Sequence, residues 1–211
     1  MGDSIRHPRR DLLLTLLLLT VQRRSMYRCH SDSALAMVAS SRAVAALAVV
    51  SKGNVGWLGP LGACEALLAA QERHSEDMEV VSAVWTAIGA MCSCNRERLS
   101  GLGTARRIVS SLRSHFQPHR NANEDSVARS RLASAAALAI SRLCEPVHDS
   151  AVATCRDNRK ALYTAGACKI LANVLRAECS DLAASVHIFR AIATMSDGTQ
   201  SFQVTSRHQP R

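Results

Sequence analysis

Between residues 78 and 94 the apolar positions Val81, Val84, Trp85, Ile88 and Met91 recur at intervals of three and four. That is the stripe of a helix with about 3.6 residues per turn. Two later stretches, RSRLASAAALAISRLC and LAASVHIFRAIATMS, carry the same pattern. They align with Ile88, Ile140 and Ile192 in one column and Met91, Leu143 and Met195 in another, each step being 52 residues. Ahead of each stripe stands a second set of columns: Asn54, Asn95 and Asn158; Leu58, Leu99 and Leu162; Gly62, Gly103 and Gly166; Leu67, Ile108 and Leu171. Here the steps are 41 and 63 residues, and self-similarity on the 41-residue scale marks a stacked helical repeat. The surplus in the longer step falls in two insertions, FQPHRNANEDS and EPVHDSAVATCRD, whose polar, Pro and Asn content suits surface loops.

Each unit therefore reads as a short helix, a Gly-marked corner and two longer helices. ACEALLAAQ, after the first corner, is built of Ala and Leu, both strong helix formers. Glycine at the corner supplies a positive φ or a close backbone approach without steric cost. A half copy, RAVAALAVVSKG, sets Leu47 against Ile88 and Val50 against Met91. The Ile88, Ile140 and Ile192 column is expected to be buried, with Leu67, Ile108 and Leu171 opposite. Ser75, in the acidic stretch SEDME, is expected to cap the last helix of the first unit.

The opening Asn-Arg-x-x-Leu-x-x-x-Gly-Ala, met in full at Asn158–Ala167, together with the 41-residue step and the three-helix unit, resembles the armadillo repeat family. The resemblance implies an all-α fold, a right-handed α-α superhelical solenoid of armadillo-like three-helix repeats. It divides the chain into a basic, hydrophobic N-terminal segment (1–32), a repeat domain (33–198) and a C-terminal tail (199–211). The domain comprises a partial repeat 33–53 and repeats 54–94, 95–157 and 158–198. Such solenoids are platforms for partner proteins, bound on a concave face lined by the last helix of each repeat. Here the row beside the apolar stripe is Ser82, Thr86 and Ala90, then Ser134, Leu138 and Arg142, then Val186, Arg190 and Thr194. Thr86, Ala90, Leu138, Arg142, Arg190 and Thr194 are the candidate partner contacts, with the two arginines carrying charge recognition. Nuclear import adaptors of the family carry a Trp with an Asn four residues on. This chain has Gly89 four residues after Trp85, and Trp85 falls on the apolar stripe, so it is assigned to the core.

The net charge of +9 is concentrated in two stretches, residues 1–31 and 95–132. Charge runs are most often solvated faces. The alternative is a basic solenoid that holds nucleic acid or an anionic membrane surface through the Arg-rich 95–132 region and the N-terminus. Aromatic residues are 3% of the chain, too few for a base-stacking platform. In the N-terminal segment, Leu12 to Val21 is about half a membrane span. It reads as a packed helix of a degenerate repeat, as a targeting segment or as a membrane contact, and the residues leave these open. The pattern breaks off at GTQSFQVTSRHQPR without a polar cap, as expected of a monomer or of a piece of a longer repeat array.

Of the eight cysteines, Cys64 and Cys168 share one repeat offset and Cys92 and Cys144 another, the behaviour of small buried hydrophobes. No Cys-x-x-Cys pair occurs, CSC at 92–94 is poor zinc spacing, and CEPVH (Cys144, His148) and HFQPH (His115, His119) read as loop coincidences. No metal and no cofactor is therefore expected. Thiols left reduced point to the cytoplasm or nucleus. The eight histidines form no constellation with Ser or Cys, and GLG at 101–103 lacks the strand a phosphate cradle needs. The sequence reads as that of a non-enzymatic interaction module.

Overall fold

A computed structural model describes residues 31–116, 126–146, 152–177 and 181–196. The described residues are all-helical, without a strand. The helices are α1 (Ala34–Val50), α2 (Lys52–Leu58), α3 (Ala63–Arg73), α4 (Met78–Gly101), α5 (Thr104–His115), α6 (Ser126–Cys144), α7 (Val152–Ala165), α8 (Ala167–Ala177) and α9 (Leu182–Ser196). Residues 1–30 and 197–211, and the parts of the two insertions at 117–125 and 147–151, lie outside the described set. Among the described residues no helix is long and apolar enough to cross a membrane.

The three Gly corners share one geometry. Gly62, Gly103 and Gly166 have φ of 85°, 71° and 85°, and they are the only positive-φ residues among those described. At each corner the glycine N–H donates to the carbonyl three residues back, Gly59, Ser100 and Tyr163, at 2.8–2.9 Å. The glycine carbonyl then accepts the first turn of the next helix. A side chain in this left-handed region would be strained, which is why glycine recurs there.

The recurring Asn also has a common role. Asn95 Nδ2 donates to the Val55 carbonyl at 2.7 Å and to Met91 at 3.4 Å. Asn158 Nδ2 donates to Leu143 at 3.2 Å and Asn54 Nδ2 to Leu47 at 3.0 Å. In each case the acceptor includes a carbonyl near the end of the preceding long helix, where the ladder leaves oxygens unpaired. The Arg that follows reaches other helix ends. Arg96 Nη2 donates to the Arg142 and Glu145 carbonyls at 3.0 and 2.5 Å. Arg159 bridges the Thr194 and Cys144 carbonyls, both at 2.9 Å. At Asn95 the backbone leaves helical geometry (φ −119°, ψ 16°), so α4 is a long helix and a short one joined at a kink.

The long helices α1, α4, α6 and α9 pack side by side in that order, and the shorter ones lie against them. α4 and α6 approach closely through small residues: a Cβ added at Gly89 would meet Ala139 Cα at 3.6 Å. Trp85, Ile88, Met91, Leu67, Ile108, Ile140, Leu143, Leu171 and Met195 are all fully buried, and the Trp85 indole N–H donates to Ser111 Oγ at 3.3 Å. Three expectations need correction. Ile192 is only half-buried, because α9 is the last described helix and nothing described covers its outer side. The cap of α4 is Asp77, not Ser75: Asp77 Oδ1 accepts the Glu79 and Val80 N–H groups at 2.9 and 3.1 Å. His115 is not a loop residue but the buried last residue of α5, with Nε2 2.8 Å from the Ser75 carbonyl.

Candidate functional site

A groove of about 1030 Å³ lies across α4, α6 and the start of α9, with Arg42 of α1 at its side. Arg42 of α1 and Met78, Glu79, Ser82, Ala83 and Thr86 of α4 form one side. Ser130, Arg131, Ser134, Ala135 and Leu138 of α6, and Asp181 and Leu182 at the start of α9, form the other. The groove exists because the apolar stripe of each long helix turns toward its neighbours, leaving the adjacent row for solvent. Its floor is of small residues, and hydroxyls recur at four-residue spacing: Ser82 and Thr86 on α4, Ser130 and Ser134 on α6.

Two polar pairs stand at its ends. Arg42 Nη2 lies 2.9 Å from Glu79 Oε1, with both side chains about 60% exposed, so an incoming group can open the pair at a cost under about 1 kcal/mol. Ser130 Oγ donates to Asp181 Oδ2, and Asp181 Oδ1 accepts the Ala184 N–H at 3.1 Å, capping α9. The Ser130 hydroxyl, followed by the Ala184 N–H, holds the Asp181 carboxyl below its usual range. Arg131 has no ion pair among the described residues.

Of the six candidate contacts, the groove contains Thr86 and Leu138. Ala90, Arg142, Arg190 and Thr194 do not line it. Arg142 and Arg190 converge on one carboxylate instead. Glu145 Oε2 lies 3.7 Å from Arg142 Nη1 and 3.2 Å from Arg190 Nη2. Thr194 Oγ1 donates to the Arg190 and Ala191 carbonyls of its own helix. Sequence reasoning missed Arg42, Glu79, Arg131 and Asp181. The signal for Glu79 and Arg131 was the same helical row extended one turn toward the N-terminus, whereas Arg42 lies beside that row and Asp181 caps α9.

Much of the Arg-rich 95–132 stretch is engaged within the fold. Arg96 and Arg113 donate to carbonyls, the latter to Ala165 at 2.7 Å. Arg98 pairs with Glu65 at 2.7 Å and Arg107 with Glu72 at 3.1 Å. Arg129 lies over the Phe116 ring, 5.1 Å from its centroid. Arg106 and Arg131 show no carbonyl, carboxylate or ring partner among the described residues, and Arg120 lies outside them.

Cys64, Cys92, Cys144 and Cys155 are buried free thiols, whereas Cys94 and Cys168 are exposed. Burial pushes Cys92 and Cys144 up to about 12 and Cys64 to about 11. Such thiols are poor nucleophiles and poor metal ligands at neutral pH. Among the described residues no three His, Cys, Asp or Glu side chains group as a metal site would require. No known family profile matches the chain, and no characterised protein or solved structure does so either.

Proposed function

We propose that the chain is an armadillo-like solenoid acting as a non-enzymatic protein–protein interaction scaffold, and that it holds an extended segment of a partner protein in the groove across α4, α6 and the start of α9. The observation that carries this reading is the groove itself, with its paired hydroxyls and small floor. An extended polypeptide presents backbone donors and acceptors at short intervals. Ser82 and Ser134 offer donors and acceptors for them, Thr86 and Ser130, which donate to the Ser82 carbonyl and Asp181, offer acceptors, and Leu138, Ala83 and Ala135 accept small apolar side chains. Arg131 favours an acidic residue in the partner. The shared geometry of the Gly corners and the recurring Asn contacts support the repeat architecture. The reduced thiols favour a cytoplasmic or nuclear setting.

The test compares proteins retained by the full chain and by a Thr86→Arg, Leu138→Arg variant that fills the groove. Both positions are at least partly solvent-exposed, so the variant should melt within a few degrees of the parent. A partner that binds the parent and loses at least tenfold in affinity for the variant supports the reading. Equal affinity, lost instead on Arg106→Ala with Arg107→Ala and falling steeply with salt, would favour the phosphate-binding alternative.

A further inference from the structure

Four columns of the long helices are buried in α4, α6 and α9 and open in α1. Ala87, Ala139 and Ala191 have no exposed surface, nor do Met91, Leu143 and Met195. The columns that begin at Val80 and Val84 are equally closed in all three helices. At the matching positions of α1, Ala39, Ala43, Ala46 and Val50 are exposed, Val50 by 77%. This row is the side that receives the preceding long helix, because Ala139 in the Ala46 column is what Gly89 of α4 abuts. The open face continues onto the next turn: Leu61, 41% exposed, stands in the column of Ala165, whose carbonyl accepts Arg113 from the preceding segment. A row that is closed three times and open once, with alanines where a helix must come near, is shaped for a helix.

We propose that Leu12–Val21 of the same chain packs as a helix against this open face of α1. Thirty residues precede the first described one, and they join the fold at Ser33, the cap of α1. Leu12–Val21 is their one long apolar run, eight of its ten residues being Leu or Val and none charged. As a helix it is about 15 Å long, close to the rise of about 16 Å from Ala39 to Val50 on α1. The residues between Val21 and Ser33 span up to about 40 Å when extended, enough for the run to turn back along α1. α1 on α4, α4 on α6 and α6 on α9 give the precedent, since in each pair the later helix is covered by the long helix before it. The row itself carries no charge that a leucine-rich helix would have to desolvate. Arg42, next to it in the chain, is drawn toward Glu79 of α4 instead.

The test is made on the full chain carrying Ala46→Cys, with alkylation by iodoacetamide followed peptide by peptide in the mass spectrometer. Cys94, exposed in the fold, is the internal reference. The new thiol is expected to react at least tenfold more slowly than Cys94. It should become as fast as Cys94 when Leu14→Asp, Leu17→Asp and Leu18→Asp are added, and stay slow with Ile at those three positions. Equal rates with the leucines intact overturn the proposal. So does protection that survives the Asp changes, or protection that fades on dilution, which would mean a second copy covers the face. Loss of protection on adding phosphatidylcholine–phosphatidylserine vesicles, with the chain recovered on them, would give the run to a lipid surface and equally overturn it.

Discussion

Asn95 shows how a single side chain joins two segments of this protein. Its amide donates to Val55 and Met91 carbonyls, so removing it strands buried acceptors. Truncation to Ala should cost about 1–3 kcal/mol, the usual penalty for leaving a buried group unsatisfied. The amide also sits where a Cβ at Gly59 would overlap its oxygen. Gly59→Ala should therefore displace Asn95 and destabilise by a similar amount, while adding Gly59→Ala to Asn95→Ala should cost little more. A double-mutant cycle by urea denaturation checks this, and fully additive losses would show that the two residues do not compete. The recurrence of Asn was plain in the sequence, but its purpose was not, because its acceptors lie 4 to 40 residues away. The glycine corners were legible to the residue, since a left-handed turn leaves so few choices that the requirement shows as identity.

At the scale of the helices, burial depends on having a neighbour on each side. Ile140 is enclosed between α4 and α9, whereas Ile192 of α9 is half-buried. Ile140→Ala should cost about 2–5 kcal/mol, and Ile192→Ala less than half as much. The midpoints of urea unfolding decide it, and equal losses would mean α9 is covered on its outer side after all. Phe189, 58% exposed in the column of the buried Trp85, points the same way. Alignment identified the column but not its ends, since a periodic stripe looks the same whether or not a neighbour follows. The groove was half legible for a related reason. The row carrying Thr86 and Leu138 follows from helical spacing, but the shared use of Glu145 by Arg142 and Arg190 depends on where the chain goes after α6 ends.

Across the whole molecule, the buried thiols set an alkaline limit. Cys64, Cys92 and Cys144 are raised by burial from 9.0 to about 11, 12 and 12. The folded state thus keeps protons that the unfolded chain releases. Their contribution is fully present below pH about 9 and is lost as pH rises through the folded values. Thermal midpoints should hold steady toward pH 9 and fall progressively between about 9 and 12. Cys92→Ala with Cys144→Ala should flatten that decline while lowering the midpoint at pH 7. A parent curve no steeper than that of the variant would overturn the assignment.

The ties described between segments run from each one to its neighbours: Asn95 to the end of α2 and the kink in α4, Arg113 to α7, and Arg159 to the ends of α6 and α9. A chain so tied responds to tension junction by junction. Load applied at its two extremities passes through every junction in series, so the weakest yields first while the others keep their shape. Among the described residues α1 and α9 each have a long-helix neighbour on one flank only, so the junctions at the two ends have least behind them. Stretched, the described part would lengthen in stages from its ends, each stage giving up one glycine corner and the asparagine beyond it. The same spacing that makes a groove thus makes a spring.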